Sequence, residues 1–532
     1  MKTNTHSCQQ PSQQQPCASG QQPSELQPCA SGHQPSCSHL GQQPCTSGHQ
    51  LCVIGLGYVG LPLARLFSTK YKTIGFDRNH NRVAEIMSGH DSTMELDEHL
   101  LKEAIEKNGF LCTSELEKIK ECNIYIVAVP TPVDENNRPD LTPLIGASRT
   151  VGQVISPGDI VIYESTVYPG VTEEECIPII EAESGLTYNK DFYAGYSPER
   201  INPGDKEHTV EKIKKVTSGS TPQVAEIVDN LYNSVLINGT HKAPSIRVAE
   251  ASKIIENSQR DVNIAFMNEL AKIFNAMGID TRDVLEAASS KWNFIKMSPG
   301  LVGGHCISVD PYYLIQKAQV YGVLPRIMTS ARRLNDGMGA YVAEQTIKCM
   351  NKKGVLVKDS RILILGITFK ENCPDTRNTK VLDIYHTLSE YTRNITIYDP
   401  WANPDSVARE YGLTITPTLP EVAAASAGAV CELSAECAGG EVSAACAGAG
   451  SGGELPAACA CGEVSAAGAA AGTASEVPAG CPAAAAGKYD AIILAVAHNQ
   501  FKNLNYKALL APNGIIYDVK GFLPRELVDA RL

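Results

Sequence analysis

Four short apolar runs space out the first part of the chain: Leu51 to Ile54, Lys72 to Phe76, Asn123 to Val129 and Asp159 to Tyr163. Runs of this length, separated by longer stretches with helical spacing, predict buried strands joined by helices. That alternation predicts a parallel, doubly wound sheet, in which ligands gather at the carboxyl ends of the strands. Distinctive residues sit at those ends: Asp77 after the second run, Pro130-Thr131-Pro132 after the third and Glu164-Ser165-Thr166 after the fourth.

From Arg247 to Met277 the pattern changes. Val248, Ile254, Ile255, Val262, Ile264, Phe266, Leu270, Ile273 and Phe274 recur through a stretch free of Pro and Gly. One helix of about 46 Å is predicted at 1.5 Å per residue, long enough to connect two domains and offer a dimer surface. A second α/β unit follows. Its strands are expected at Arg361 to Leu365, Ile395 to Tyr398 (ending in Asp399-Pro400), Ala491 to Val496 and Ile515 to Val519, with helices at Thr379 to Ser389 and near Glu421. The expected fold class is α/β: two Rossmann-like doubly wound domains joined by a long central helix.

Two stretches lie outside this pattern. Residues 1 to 49 are dominated by Gln, Ser, Pro, Gly and Cys, with PCASG at Pro16 and Pro28 and PCTSG at Pro44. Val422 to Gly487 is almost wholly Ala, Gly, Ser, Cys and Glu, with GEVSAA at Gly440 and Gly462. With so few large apolar side chains, neither stretch offsets its ordering entropy by burial: the first reads as disordered and the second as a disordered or weakly structured insertion. A long insertion is tolerable because loop-closure cost grows only logarithmically. The division expected is a low-complexity arm at 1–49, a first Rossmann domain at 50–245, a central helical region at 246–340 and a C-terminal α/β domain at 341–532, interrupted at 422–487.

Charge and cysteine usage narrow the function classes. A net charge of −12 leaves no basic field for nucleic acid or an anionic membrane. Of the 18 cysteines, five precede residue 50 and six lie between Cys431 and Cys481, at spacings that match no zinc pattern; the nearest pair, Cys459 and Cys461, is only C-x-C. No metal is therefore expected. MKTNTHSCQQ carries no apolar leader core and no run reaches 18 apolar residues, so a cytoplasmic protein is expected.

Gly55-Leu56-Gly57-Tyr58-Val59-Gly60 follows a strand and opens a helix, with Asp77 at the end of the next strand. Glycines there permit a tight turn and close approach of a pyrophosphate to a helix N-terminus, while Asp77 takes ribose hydroxyls. An acid at that place repels a 2′-phosphate and favours NAD over NADP, with Arg78 beside it. The second constellation is Gly303-Gly304-His305-Cys306-Ile307-Ser308-Val309-Asp310-Pro311. A lone Cys is most often a small buried hydrophobe. Flexible glycines before it and a carboxylate four residues later favour a nucleophile instead, with His305 as an ordering residue.

The successive segments GLGYVGLPLA, VPTP, ESTVYPG, YSPERINPG, AEASKIIENSQRDVNIAFMNELA, GGHCISVDPYYL and GITFKENCPDTRNT resemble the UDP-glucose/GDP-mannose dehydrogenase family across residues 50 to 421 and 488 to 532. The resemblance implies an N-terminal NAD domain, a central helix used in dimerisation and a C-terminal domain that helps hold the nucleotide diphosphate. It makes Cys306 the nucleophile. Lys253 and Asn257, one helical turn apart, would contact the sugar and stabilise oxyanions. Asp310 would assist proton transfer and activate water, with Glu164 as a second candidate. Glu199 and Arg200 would shape the substrate pocket with Gly303, while Asn202 and Pro203 form a turn. Phe369, Lys370 and Arg377 would reach in from the C-terminal domain, Arg377 toward the cofactor, and Arg332 or Arg333 toward the substrate. Around NAD, Tyr58, Val59, Thr131 and Thr166 join the three glycines, Asp77 and Arg78.

The implied chemistry explains the parts. Converting CH2OH to carboxylate removes four electrons, so two NAD molecules act in turn and the aldehyde must be retained between them. A thiol retains it as a thiohemiacetal, which a second oxidation turns into a thioester that water then opens. Ile307 and Val309, with the ARRLND segment, resemble the branch acting on UDP-N-acetylhexosamines more than those acting on UDP-glucose or GDP-mannose, which remain the alternatives. The uronic acid product would feed surface polysaccharide synthesis. A homodimer or higher homo-oligomer is expected. Two rival readings differ in kind. One is a two-electron hydroxyacid dehydrogenase, which lacks the nucleophilic Cys and the second α/β unit. The other is a scaffolding protein built on the Cys-rich repeats, although none of the motifs lies in them.

Overall fold

A computed structural model describes residues 48–201, 207, 209–416, 418–419 and 488–532. The repeats in the arm and in the 422–487 tract, the helix expected near Glu421 and the turn at Asn202 and Pro203 lie outside the described residues. The first sheet has eight strands: β1 (Gln50–Ile54), β2 (Lys72–Phe76), β3 (Leu111–Thr113), β4 (Ile124–Val127), β5 (Ile160–Tyr163), β6 (Tyr193–Tyr196), β7 (Lys215–Gly219) and β8 (Thr240–Lys242). Their order is β3-β2-β1-β4-β5-β6-β7-β8. Strands β1 to β6 pair parallel, β1 with β2 in the register Val53 to Gly75 and with β4 in the register Val53 to Ile126. The expectation of a wholly parallel sheet needs one amendment, because β7 pairs antiparallel to β6.

Strict alternation within these apolar runs divides the core between the two faces. Cys52, Ile54, Tyr125, Val127, Val161 and Tyr163 pack on one side, and Leu51, Val53, Ile124, Ile126, Ile160 and Ile162 on the other. Burial of both faces is why the strands read as continuous apolar runs. The second sheet, β10-β9-β11-β12-β13, is all parallel: β9 (Ile362–Leu365), β10 (Ile395–Tyr398), β11 (Tyr489–Leu494), β12 (Leu510–Asp518) and β13 (Ala530–Arg531). Its core divides in the same way, with Ile362, Ile364 and Ile493 on one face and Leu363, Leu365 and Ile492 on the other.

Between the sheets runs the helix Ile246–Met277, whose 32 residues span about 48 Å. The Ser245 hydroxyl caps its start by accepting from Val248 N, and left-handed Gly278 (φ +70°) ends it. Its amphipathicity is inverted. The buried face carries Glu250, Lys253, Asn257, Asp261 and Asn268 between alanines, while Val248, Ile255, Phe266, Ile273 and Met277 are exposed. Several of the apolar residues that predict the helix thus point away from the core.

Candidate active site

The turn after β1 is built around its glycines. Gly55 adopts φ +91°, where a side chain is strained. A Cβ on Gly60 would lie 1.8 Å from Gly55 O, so the chain tolerates no side chain there. A Cβ on Gly57 would meet nothing within 4 Å, which leaves its backbone open to a ligand. Asp77 Oδ2 accepts from Leu56 N at 2.9 Å, and Oδ1 accepts from Asn79 N. Asp77 and Arg78, with Gly146, border a cleft of about 620 Å³ that opens at Gly55. These features fit NAD: a cradle free of side chains at a helix start for the pyrophosphate, with a carboxylate beside it for the ribose.

The next cavity, about 910 Å³, continues from Val59 past Thr131 and Thr166 to Cys306, Asp310 and Arg377. Thr131 Oγ1 donates to Thr166 O at 2.7 Å and ties the ends of β4 and β5 together. Glu164 is in this wall, but both of its oxygens are engaged: Lys215 Nζ at 2.5 Å on Oε2 and the Tyr232 hydroxyl at 2.5 Å on Oε1. Burial raises its pKa, against the pull of Lys215. Arg377 stands over the Tyr58 ring at 4.7 Å, pairs with Asp375 at 2.6 Å and donates to His305 Nδ1 at 3.1 Å. Burial, followed by Arg377, pushes His305 down to about 4, so it is neutral. The contact with Arg377 joins His305 of the Cys306 loop to the C-terminal segment.

A third cavity, about 1,310 Å³, also reaches Cys306 and is lined by Arg200, Lys253, Asn257, Gly303, Phe369 and Lys370, with Arg260 and Lys520. Lys253 and Asn257 reach it from one face of the long helix, as their spacing requires. Lys253 Nζ pairs with Glu199 Oε2 at 3.2 Å, and Asn257 Nδ2 donates to Asp310 Oδ2 at 2.5 Å. Burial works against the Lys253 charge, but Glu199, Cys306 and Asp310 outweigh it and raise its pKa. Burial pushes Asp310 up to about 6, with Lys253 and Asn257 opposing. Burial, then Asp310, pushes the Cys306 thiol up to about 12, while Lys253 and Arg377 pull it down. Gly303 and Gly304 allow the Phe369 side chain to press on this loop: a Cβ on Gly304 would be 2.7 Å from its ring. Arg200 pairs with Glu256 at the cavity edge.

One expectation changes. Arg332 does not reach the substrate cavity: it is 1% exposed and bonds Asp261 at 2.5 Å and Asp336 at 2.6 Å, while Arg333 is exposed. Asp261 also accepts from Asn335, whose amide oxygen accepts from Asn268, and Asn268 holds both the N–H and the carbonyl of Gly300. The network thereby anchors the start of the Cys306 loop. Sequence reasoning missed Lys215, Arg260 and Lys520. Only Arg260 left a signal, three residues from Asn257 and seven from Lys253 on one helix face. Among the described residues no cluster of His, Cys, Asp and Glu could hold a metal ion, and no helix is long and apolar enough to cross a membrane.

Comparison with known proteins follows this geometry domain by domain. Residues 49–236 match the NAD binding domain of the UDP-glucose/GDP-mannose dehydrogenase family, 247–337 its central domain and 363–436 its UDP binding domain. The chain is 50% identical over 485 residues to a UDP-N-acetyl-D-glucosamine 6-dehydrogenase of Pseudomonas aeruginosa, covering 91% of this chain and 99% of that one. It is 48% identical to a protein of the same name from Salmonella typhi, over 91% and 98% of the two chains. Among solved structures, a UDP-D-ManNAc dehydrogenase from Pyrococcus horikoshii superposes with a TM-score of 0.72 at 26% identity, over 91% of this chain and 98% of that one. The chain belongs to the UDP-glucose/GDP-mannose dehydrogenase family and is an NAD-dependent nucleotide-sugar dehydrogenase.

Proposed function

We propose that this enzyme oxidises the C6 hydroxymethyl of a UDP-N-acetylhexosamine to the carboxylate through a covalent adduct on Cys306. The carrying observation is that Cys306 lines both the cavity that continues from the glycine turn and the cavity lined by Lys253, Phe369 and Lys370. UDP-N-acetylglucosamine is the first substrate to test. The two relatives bearing that name align over 91% of this chain, and Ile307 and Val309 flank Ser308 in the Cys loop. The product is a precursor for surface polysaccharide, made in the cytoplasm.

NAD, when bound, accepts one hydride from C6 at each of two oxidations. The chain's residues do the rest. When the first oxidation has produced the aldehyde, Cys306 Sγ bonds to C6. Its proton leaves the sulfur during attack, because a thiol held near 12 is not ionised at rest. Asp310, held near 6 and ionised at neutral pH, is the acceptor. The Lys253 ammonium and the Asn257 amide face the oxygen that becomes negative. Asp310 passes that proton to the aldehyde oxygen, and it leaves for solvent with the second oxidation. Water then adds to the thioester, and the Asp310 carboxylate takes a proton from it and hands that proton to Cys306 Sγ as the C–S bond breaks, which returns the thiol and frees the acid. Glu199 keeps Lys253 charged, and Glu164 fixes the cavity wall through Lys215 and Tyr232.

The outward apolar stripe of the long helix supports a homodimer, with Val248, Ile255, Phe266 and Ile273 exposed in the single chain. To test the reaction, NADH release is measured with UDP-N-acetylglucosamine, UDP-N-acetylgalactosamine, UDP-glucose and GDP-mannose. Two NADH per acetamido sugar are expected. Cys306→Ser should lose uronate formation by roughly 10³-fold or more while NAD affinity persists. One NADH per sugar, or native uronate production by the serine variant, would overturn the reading.

A further inference from the structure

The two sheets carry the same turn. After β1, Gly55 (φ +91°) donates to Phe76 O at 2.9 Å and Leu56 N donates to Asp77 Oδ2 at 2.9 Å. After β9, Gly366 (φ +93°) donates to Tyr398 O at 2.8 Å and Ile367 N donates to Asp399 Oδ2 at 2.6 Å. The surroundings of the acid differ. Asp77 borders an open cleft. Asp399 is 1% exposed and also accepts from Thr368 N, Trp401 N, Ala402 N and His498 Nε2. No lone pair is left for a ribose hydroxyl, and an imidazole occupies the place a second dinucleotide would need.

That imidazole is wholly buried at the end of β11. His498 Nδ1 accepts from Asn372 N at 2.9 Å, so the proton is on Nε2, which lies 3.1 Å from Asp399 Oδ2 and 3.1 Å from Thr368 Oγ1. Thr368 Oγ1 in turn donates to Lys370 O at 2.9 Å, and Asn499 N donates to Asn372 Oδ1 at 3.0 Å. All of these bonds except the one to Asp399 fall on the loop Gly366 to Asn372. That loop delivers Phe369 and Lys370 to the third cavity, with Phe369 against Gly303 and Gly304 of the Cys306 loop.

We infer that His498 is a positioning residue for the nucleotide sugar: with Asp399 it staples the Gly366–Asn372 loop in the shape that presents Phe369 and Lys370. The inference rests on the proposed substrate role of that loop. Removing the imidazole takes the acceptor from the half-buried Asn372 N–H and frees the loop on one side.

The test compares His498→Phe, His498→Gln and His498→Asn with Lys370→Ala in the full chain, measuring kcat, KM for UDP-N-acetylglucosamine and NAD affinity. His498→Phe should raise the sugar KM roughly ten-fold or more with NAD affinity unchanged, the expected result of one half-buried donor left unpaired and the loop released. His498→Gln reaches the Nε2 position but offers Asn372 no acceptor, and should raise KM likewise. His498→Asn places its oxygen where Nδ1 stood and should return KM to within about three-fold of native. If the phenylalanine variant does not fold, the Gln and Asn pair decides. A folded His498→Gln with native sugar KM overturns the staple if Lys370→Ala still raises KM. If Lys370→Ala leaves KM unchanged as well, the substrate role of the loop itself is what fails.

Discussion

Two influences on Asp310 disagree about its charge: burial favours the neutral acid, Lys253 the carboxylate, and the balance leaves it at about 6. The proposed role requires the carboxylate. Uronate formation should therefore fall as pH drops through about 6, where the base form is lost, and should not recover at lower pH. Asp310→Asn should remove that acid limb and slow uronate release by about 10²-fold or more, with the Cys306 adduct accumulating on the mass spectrum. An unchanged limb in the variant would exclude Asp310 as its source. At this scale the sequence is readable wherever chemistry is local in the chain. Gly55 with Gly60, Cys306 with Asp310, and Lys253 with Asn257 sit within one turn or one loop of each other. Hydrogen-bond partners that build the walls of the site and its supports do not. Glu199 lies 54 residues from Lys253, Glu164 lies 51 from Lys215, and Asp399 lies 99 from His498.

The long helix illustrates both the reach of pattern reading and its limit. Apolar spacing without Pro or Gly identifies the helix to within a residue at its start, yet it cannot say which face is inside. Here the inside is polar because the helix serves a site, and the apolar stripe faces outward. In its first turns Glu250 is buried with its carboxylate accepting from Gly170 N at 2.6 Å and Thr172 N at 3.0 Å. Burial pushes it up to about 7 even so, against a usual 4.5. Between those values the folded chain keeps a proton on Glu250 that the unfolded chain has lost, so the contribution of this group is most favourable below about 4.5 and declines as pH rises to 7. The decline amounts to about 3 kcal/mol on the scale of 1.36 kcal/mol per unit. Glu250→Gln has no proton to lose, and its melting temperature should fall less between pH 5 and 7.5 than that of the native chain. Parallel slopes in scanning fluorimetry would refute the assignment.

Across the whole molecule, unbroken apolar runs made four strands of each sheet legible, because parallel strands buried on two faces read that way, while β3, β6, β8 and β13 were not read from the pattern. The antiparallel β7 was not legible, since Lys215 to Gly219 carries its burial in polar residues such as Thr217 and Ser218. The exposed stripe makes a further demand at this scale. Phe266 is 53% exposed, and Phe266→Asp should weaken self-association roughly thirty-fold or more if that stripe is the centre of a dimer contact. Light scattering during size-exclusion chromatography reads this directly, and an unshifted dimer would move the interface elsewhere. Finally, Cys306 belongs to the lining of two chambers. On the proposed mechanism, a cargo moored at that shared wall would stay put while the neighbouring chamber is vacated and restocked, so spent and fresh carriers would exchange without setting the half-finished product adrift.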